Sequence, residues 1–505
     1  MGQQAANTQE KMSHSAVISF LGSGFAAAAA MLLTVLVSRA VGAEGAGLFY
    51  LAIGLFTIAS QVLKLGSNSG VIRTLATQRA VGQDGHATQV LYIATVPVLV
   101  ISAAAGLLIY LYADTIAAVF ADARQAGDLA ALMRQLAFFV AFASVLAVLH
   151  TMTRMLNSVL MFTMLQNVLL PATRVILVAI AVWLGGDAFD AVFAWAASLP
   201  IWILVTVGLL LPKLRADGRR RTVPLGRRST RRFWAFSASR GIGGALEICL
   251  EWVDVLIVAA LRSPAEAGIY AVVTRIVRAG QIIDRAMRVA VSPRIAHHFA
   301  LAEMGEARAL HTQATRTMIL VAWPFYLTLV FFGEPVLGIF GPEFRSGAPV
   351  LSVAAIGIMV LTTTGMLQSI ILMGGRGSWQ VWVKSLSLVL SIALNLLLIP
   401  WLGITGAAVA WGVVILVDAS ISGYLVYARL KVGIDLRKTL QACLVPLLVF
   451  GPGWLCLRLT GWNDALVLIG GLAALGLIYL AVLYLLRRAL GLESLVSSVA
   501  KRVRR

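Results

Sequence analysis

Residues 385–411 read SLSLVLSIALNLLLIPWLGITGAAVAW. No side chain in this stretch is charged, and the apolar run outlasts the roughly 20 residues a helix needs to cross the hydrocarbon of a bilayer. It reads as the end of one span near 400 and the start of another near 404. Working outward with the same ruler, spans are expected at 16–38, 46–66, 87–110, 129–149, 162–184 and 188–211. After a polar stretch, more are expected at 233–260, 267–289, 316–333, 347–373, 379–400, 404–428, 438–459 and 464–486. The fold class expected is therefore all-α and polytopic, with about 14 transmembrane helices. The totals agree: 60% of the 505 residues are hydrophobic and 12% charged, and mean hydropathy is +0.89. A soluble domain carries about 25% charged residues.

The formal charge of +19 invites a nucleic-acid partner, but its distribution argues against one. Basic residues gather in alternate loops: Arg73 and Arg79, Arg154, Lys213 to Arg232, Arg288 to Arg308, Arg376, and Arg429 to Lys438. The intervening loops carry most of the acids, such as Asp114, Asp122, Asp187, Asp190, Glu334 and Glu343. Lys and Arg sorting to one side orients the chain with both termini cytoplasmic. No signal peptide is expected, because the polar first fifteen residues precede an apolar run too long for one. The segment 213–232, KLRADGRRRTVPLGRRSTRR, is a basic cytoplasmic linker and a candidate contact for anionic headgroups. Cys249, Cys443 and Cys456 fall in apolar runs and suggest packing rather than a disulfide framework or a metal.

The two halves of the chain resemble each other. EGAGLFYLAIGLF at 44–56 matches AEAGIYAVVTRIV at 265–277, and WLGGDAFDAVFAW ending at Trp195 matches WLGITGAAVAW ending at Trp411. The offsets are 221 residues for Gly47 and Gly268 and 216 for the tryptophans. Nearly equal offsets indicate a duplicated six-helix unit in parallel topology. The expected organisation is a cytoplasmic N-terminal tail (1–15), an N-lobe of six helices (16–212) and the linker (213–232). A C-lobe of six helices (233–428), a terminal helix pair (429–486) and a basic cytoplasmic tail (487–505) follow.

Loops too short to fold a catalytic domain point away from an enzyme. GSG at 22–24 and GIGG at 241–244 read as close-packing small residues rather than phosphate loops. His297 and His298 have no carboxylates at ligand spacing, so no metal or other cofactor is expected. Charges inside apolar runs are the informative residues, since each costs roughly 2.5–3.5 kcal/mol at the bilayer centre. Glu247, Glu251 and Asp254 share one face of the seventh helix. Counting inward from the short outer turn, Asp254 is level with Arg275 and Glu251 with Arg278 on the eighth helix, and Glu247 is left without a basic partner on this hairpin. Arg240, Arg174 and Asp418 are further charges at membrane depth. Two readings stand side by side: ion bridges that help helices insert, or the wall of a hydrated cavity. In the second, Arg275, Arg278, Arg174 and Arg240 meet an anionic substrate and Glu247, Glu251, Asp254 and Asp418 serve as ion-pair or coupling carboxylates.

Several stretches carry a family likeness: LVSRAVGAEGAGLFYLAIGLF, EWVDVLIVAALRSPAEAGIYAVVTRI, VSPRIAHHFALAEMGEARAL and the run at 385–411. In order and spacing across nearly the whole chain, they resemble the polysaccharide transporters of the MOP superfamily, the Wzx-type flippases. The resemblance implies a MATE-like fold with two lobes about a cavity open alternately to either side. It implies a polyprenyl-diphosphate-linked oligosaccharide as substrate, flipped from the inner to the outer leaflet of the bacterial plasma (inner) membrane for surface polysaccharide such as O-antigen, capsule or exopolysaccharide. Membrane lipids and other polysaccharide assembly proteins are further candidate partners. Arg275 and Arg278 best fit the diphosphate contact. The charge-free first helix departs from the lipid II branch and leaves Arg174 as the first-lobe substitute. The alternative is a cation-coupled multidrug antiporter of the same superfamily, using Glu247 or Asp418 as its ion site.

Overall fold

The computed structural model describes residues 2–81, 85–218, 225–460, 465–488 and 490. Residues 219–224 of the linker and most of the tail expected at 487–505 lie outside the described residues. The chain folds as α1 (Gly2–Leu63), α2 (Ser67–Ala80), α3 (Ala87–Leu111), α4 (Ala113–Phe120), α5 (Ala126–Ala137), α6 (Val140–Leu156) and α7 (Val159–Thr163). It continues through α8 (Leu170–Trp183), α9 (Ala188–Gly218), α10 (Arg227–Leu261), α11 (Pro264–Ala279), α12 (Ile282–Ala300), α13 (Met304–Phe331) and α14 (Gly333–Gly338). Last come α15 (Ala348–Thr363), α16 (Leu367–Met373), α17 (Gly377–Leu402), α18 (Ile404–Leu430), α19 (Leu436–Thr460) and α20 (Ala465–Leu485).

Every expected span falls on a helix or a broken helix pair. Among the described residues, nine helical segments are long and apolar enough to cross a membrane, or ten if the bent pair α5–α6 (44°) is one span. The first segment, Ile18–Ala80, contains two expected spans joined at Gly42, whose backbone is not helical (φ 67°, ψ −172°). The remaining expected spans are the charged α10, the broken pair α11–α12 and the short apolar part of α20, 469–485. Hydropathy alone passes over α10 and α11–α12 because they carry the charges that make them informative. A π-helical turn at Met164–Leu169 precedes Pro171. Proline has no N–H to give and its ring crowds the carbonyl four residues back, so the preceding turn widens.

The chain divides into two compact units. One runs up to Ala279 and includes Leu337–Gly347 and Lys384–Ala410; the other takes Gly280–Val336, Ala348–Val383 and the chain from Trp411 onward. Within the first unit, α1 packs along α11, and the two glycines matched by the repeat meet there. A Cβ on Gly47 would lie 1.8 Å from the Pro264 carbonyl oxygen, and one on Gly268 would lie 2.4 Å from the Ala43 carbonyl oxygen and 2.7 Å from the Gly47 nitrogen. In lipid, where no hydrophobic effect drives helices together, an approach this close is what small residues supply.

The second repeat match ends its helices alike. After Trp183 in α8 and Trp401 in α17, Gly185 (φ 81°) and Gly403 (φ 60°) adopt the left-handed conformation that closes a helix C-terminus. Both tryptophans are exposed, at 82% and 84%, as suits indoles at a membrane–water interface.

The glycine crossing yields a test. Gly268→Ala is expected to destabilise the solubilised protein by about 1–3 kcal/mol, the usual cost of overpacking. Gly244→Ala, where a Cβ meets nothing within 4 Å, is expected to leave stability unchanged. Thermal unfolding followed by size-exclusion chromatography reads both; equal melting temperatures for the two variants contradict a close crossing.

Candidate functional site

In the first unit α10 and α11 form the hairpin that carries most of the charges at membrane depth. The register of Glu251 with Arg278 holds: an Arg278 Nη1 lies 3.4 Å from Glu251 Oε1, and its Nη2 donates to the Glu251 carbonyl oxygen at 2.5 Å. The second expected pair does not form. Asp254 is buried and accepts hydrogen bonds from Ser391 Oγ and Asn395 Nδ2 of α17, both at 2.9 Å. Asn395 also donates to the Ser391 carbonyl at 2.8 Å. Counting along two helices gives the height of each residue but not the azimuth at which it leaves the helix. Asp254 faces α17, a neighbour more than a hundred residues away in sequence.

Arg275, released from that pairing, is held by aromatic faces. Its guanidinium carbon lies 4.2 Å from the Tyr50 ring centroid and 5.6 Å from that of Trp252. Arg174 is seated in the same manner. It follows Pro171 on α8, lies 3.8 Å over the Trp195 ring and donates from Nε to Ser198 Oγ at 3.3 Å. Among the described residues neither arginine closes an ion pair. A cation over a ring face gains the cation–π attraction while the N–H edge of its planar fork stays suited to a carboxylate or a phosphate.

The other expected residues are distributed as follows. Glu247 stands in the field of Lys64, which follows the end of α1 and itself donates to Gln61 Oε1. That basic neighbour lies off the hairpin and is not visible from its register. Arg240 is exposed on α10. Asp418 belongs to the second unit, on α18, where it is buried and is approached by Gln368 Nε2 at 3.5 Å and Ser422 Oγ at 3.4 Å. Sequence reasoning missed Ser391, Asn395, Tyr50, Trp252, Lys64 and His150. His150, buried on α6, is an electrostatic neighbour of Arg174. None carries a formal charge at membrane depth except Lys64, which lies at a helix end and reads as an ordinary boundary residue. Among the described residues no group of three or more His, Cys, Asp or Glu could hold a metal ion.

Outside the spans, the acid before α19, Asp435, titrates below the usual carboxylate range because the backbone N–H of Lys438 donates to it.

The profile of a family described as "Polysaccharide biosynthesis protein" matches residues 14–299. A Haloferax volcanii protein described as "Probable low-salt glycan biosynthesis flippase" is 24% identical over 242 residues, which cover 45% of this chain and 49% of that protein. The chain thus spans about half the length of this curated relative. Among solved structures, "Lipid II flippase MurJ, inward closed conformation" superposes with a TM-score of 0.72 at 13% identity, covering 93% of this chain and 99% of that one. An inward-facing multidrug resistance MATE family transporter of the MOP superfamily superposes with a TM-score of 0.67 at 13% identity, covering 83% and 98%. The fold is therefore the all-helical one shared by these multi-pass membrane transporters.

The Asp254 cluster can be tested by a double-mutant cycle. Asn395→Ala is expected to cost about 1–3 kcal/mol, because it leaves a buried acceptor with one donor fewer. In the Asp254→Asn background the same change is expected to cost less, with a coupling of about 0.5–3 kcal/mol. Additive losses in melting temperature would show that the two side chains act independently.

Proposed function

This chain belongs to the family described as "Polysaccharide biosynthesis protein", and from that premise we propose that it flips a polyprenyl-diphosphate-linked oligosaccharide from the cytoplasmic to the outer leaflet of the plasma membrane by alternating access, for surface polysaccharide synthesis. The observation that carries the reading is the pair of membrane-depth arginines, Arg174 and Arg275, held on aromatic faces rather than by carboxylates. A diphosphate headgroup is strongly hydrated and does not enter hydrocarbon unassisted. Guanidinium forks replace that hydration with charge-assisted, bidentate hydrogen bonds, while the polyprenyl tail stays in lipid.

Arg278 has a different role in this reading. Its bonds to Glu251 hold α10 to α11, and exchange of that carboxylate for substrate phosphate is a way for binding to loosen the hairpin. Arg240, exposed on α10, is a lesser contact. Glu247, Glu251 and Asp254 are the carboxylates proposed for ion pairing or coupling. The division into halves at 16–212 and 233–428 with a terminal pair at 429–486, and both termini in the cytoplasm, rest on the sequence repeat and on the sorting of basic residues.

The test is reconstitution of the full chain in proteoliposomes with a fluorescent polyprenyl-diphosphate glycan, whose leaflet is read by a membrane-impermeant quencher. Arg275→Ala and Arg174→Ala are each expected to slow transfer about 10- to 100-fold, the equivalent of losing a hydrogen bond to a charged group. Lys at either position is expected to restore part of the rate. A deletion strain that keeps its surface polysaccharide but becomes sensitive to cationic drugs would instead favour an antiporter.

A further inference from the structure

The second unit holds a cavity of about 320 Å³ that the arginine sites of the first unit leave unexplained. Two helix breaks open onto it: Gly280 and Gln281, between α11 and α12, and Thr364 and Gly365, between α15 and α16. Irregular backbone at membrane depth is tolerated only where it is buried in protein or lines a wet cavity. The volume lies at the small end of ligand sites, which run from roughly 300 to 1,000 Å³. It is far more than a bare ion needs and too little for an oligosaccharide.

The lining fixes the chemistry of the occupant. Two carboxylates, Asp284 and Asp418, and two guanidiniums, Arg285 and Arg288, line it, so the formal charge of the wall is zero. Arg288 is already engaged with Asp284, at 2.6 Å through Nη2 and 2.7 Å through Nε. Gln368 and Tyr326 add an amide and a phenol to the same wall. Apolar side chains of α13, α15 and α16 complete it. A wall with balanced charge has no net preference for an anion or a cation. One with carboxylate, guanidinium, amide and hydroxyl groups in a small space is suited to a ligand carrying many neutral donors and acceptors on a compact apolar frame, which describes a single pyranose ring.

We propose that this cavity of the second unit is a binding site for one neutral sugar residue, with Asp418 and Gln368 taking its hydroxyls, and that it sets which glycan the protein accepts. The proposal rests on the flippase reading above, which it deepens by assigning sugar selection to residues separate from the arginines assigned to the diphosphate.

The experiment uses the full chain in lipid nanodiscs. Binding of methyl glycosides of neutral hexoses, 6-deoxyhexoses, N-acetylhexosamines and a hexuronate is measured by saturation-transfer difference NMR, and binding of inorganic diphosphate is measured separately. At least one neutral glycoside is expected to bind in the millimolar range, with the hexuronate no tighter. Asp418→Asn and Gln368→Leu are each expected to weaken the neutral glycoside at least tenfold while leaving diphosphate binding unchanged. A diazirine-bearing methyl glycoside on the wild-type protein, which needs no folded variant, is expected to label peptides containing Asp284–Arg288 or Leu361–Gln368. Absence of glycoside binding across the panel, binding that ignores both substitutions, or labelling confined to other segments would each overturn the site. If the glycoside result holds but diphosphate does not bind, or binds equally to Arg174→Ala and Arg275→Ala, the sugar site stands and the assignment of the arginines fails.

Discussion

A peptide group in hydrocarbon finds no water, so each N–H and C=O must be bonded within its own helix or be sheltered by protein. Nearly every feature of this chain follows from that constraint. It accounts for the unbroken helices, for the left-handed glycines that end two of them after Trp183 and Trp401, and for the few places where a helix is allowed to fail. Those failures are informative because they are costly. The π-helical turn before Pro171 leads, one turn later, to Arg174. The interruptions at Gly280–Gln281 and Thr364–Gly365 both border the cavity of the second unit.

The same solvent governs the charges. A lone guanidinium at membrane depth costs several kcal/mol unless something replaces its water. A carboxylate partner would do this most fully, but it would also occupy the donors. Ring faces do it incompletely and leave the edge of the fork for another molecule. Arg174 and Arg275 are both placed in this second manner, on Trp195 and Tyr50, whereas Arg278 is placed in the first, on Glu251. Asp254 shows a third solution, a carboxylate supplied with neutral donors from Ser391 and Asn395.

How much of this was legible in the sequence follows from what each signal measures. Hydropathy measures whole segments, and each segment it marked falls on a helix or a broken helix pair, although α10 and α11–α12 are not apolar enough to pass as spans by composition. The repeat measures correspondence between positions, and it singled out Gly47 and Gly268, which meet in α1 and α11. Helical register measures height, so Glu251 with Arg278 was readable and Asp254 with Arg275 was not. The partners of Asp254 are Ser391 and Asn395, polar residues in a run otherwise so apolar that they read as part of its packing. Lys64 beside Glu247 and His150 beside Arg174 are likewise neighbours across helices, which one-dimensional spacing does not encode. The cavity beside Asp418 depends on two helix breaks, and neither sits at a proline that would have announced it.

The exposed indoles of Trp183 and Trp401 have a consequence of a different kind. They stand at equivalent ends of the helices that the repeat matches, bare to their surroundings. Indoles held at a membrane–water interface fix the hydrophobic height that their own two helices present. In a bilayer thicker than that height, the lipid must thin around them or the helices must change tilt, each at a fraction of a kcal/mol per ångström. Acyl-chain length is thus a variable that acts on these helices with no residue of either site involved.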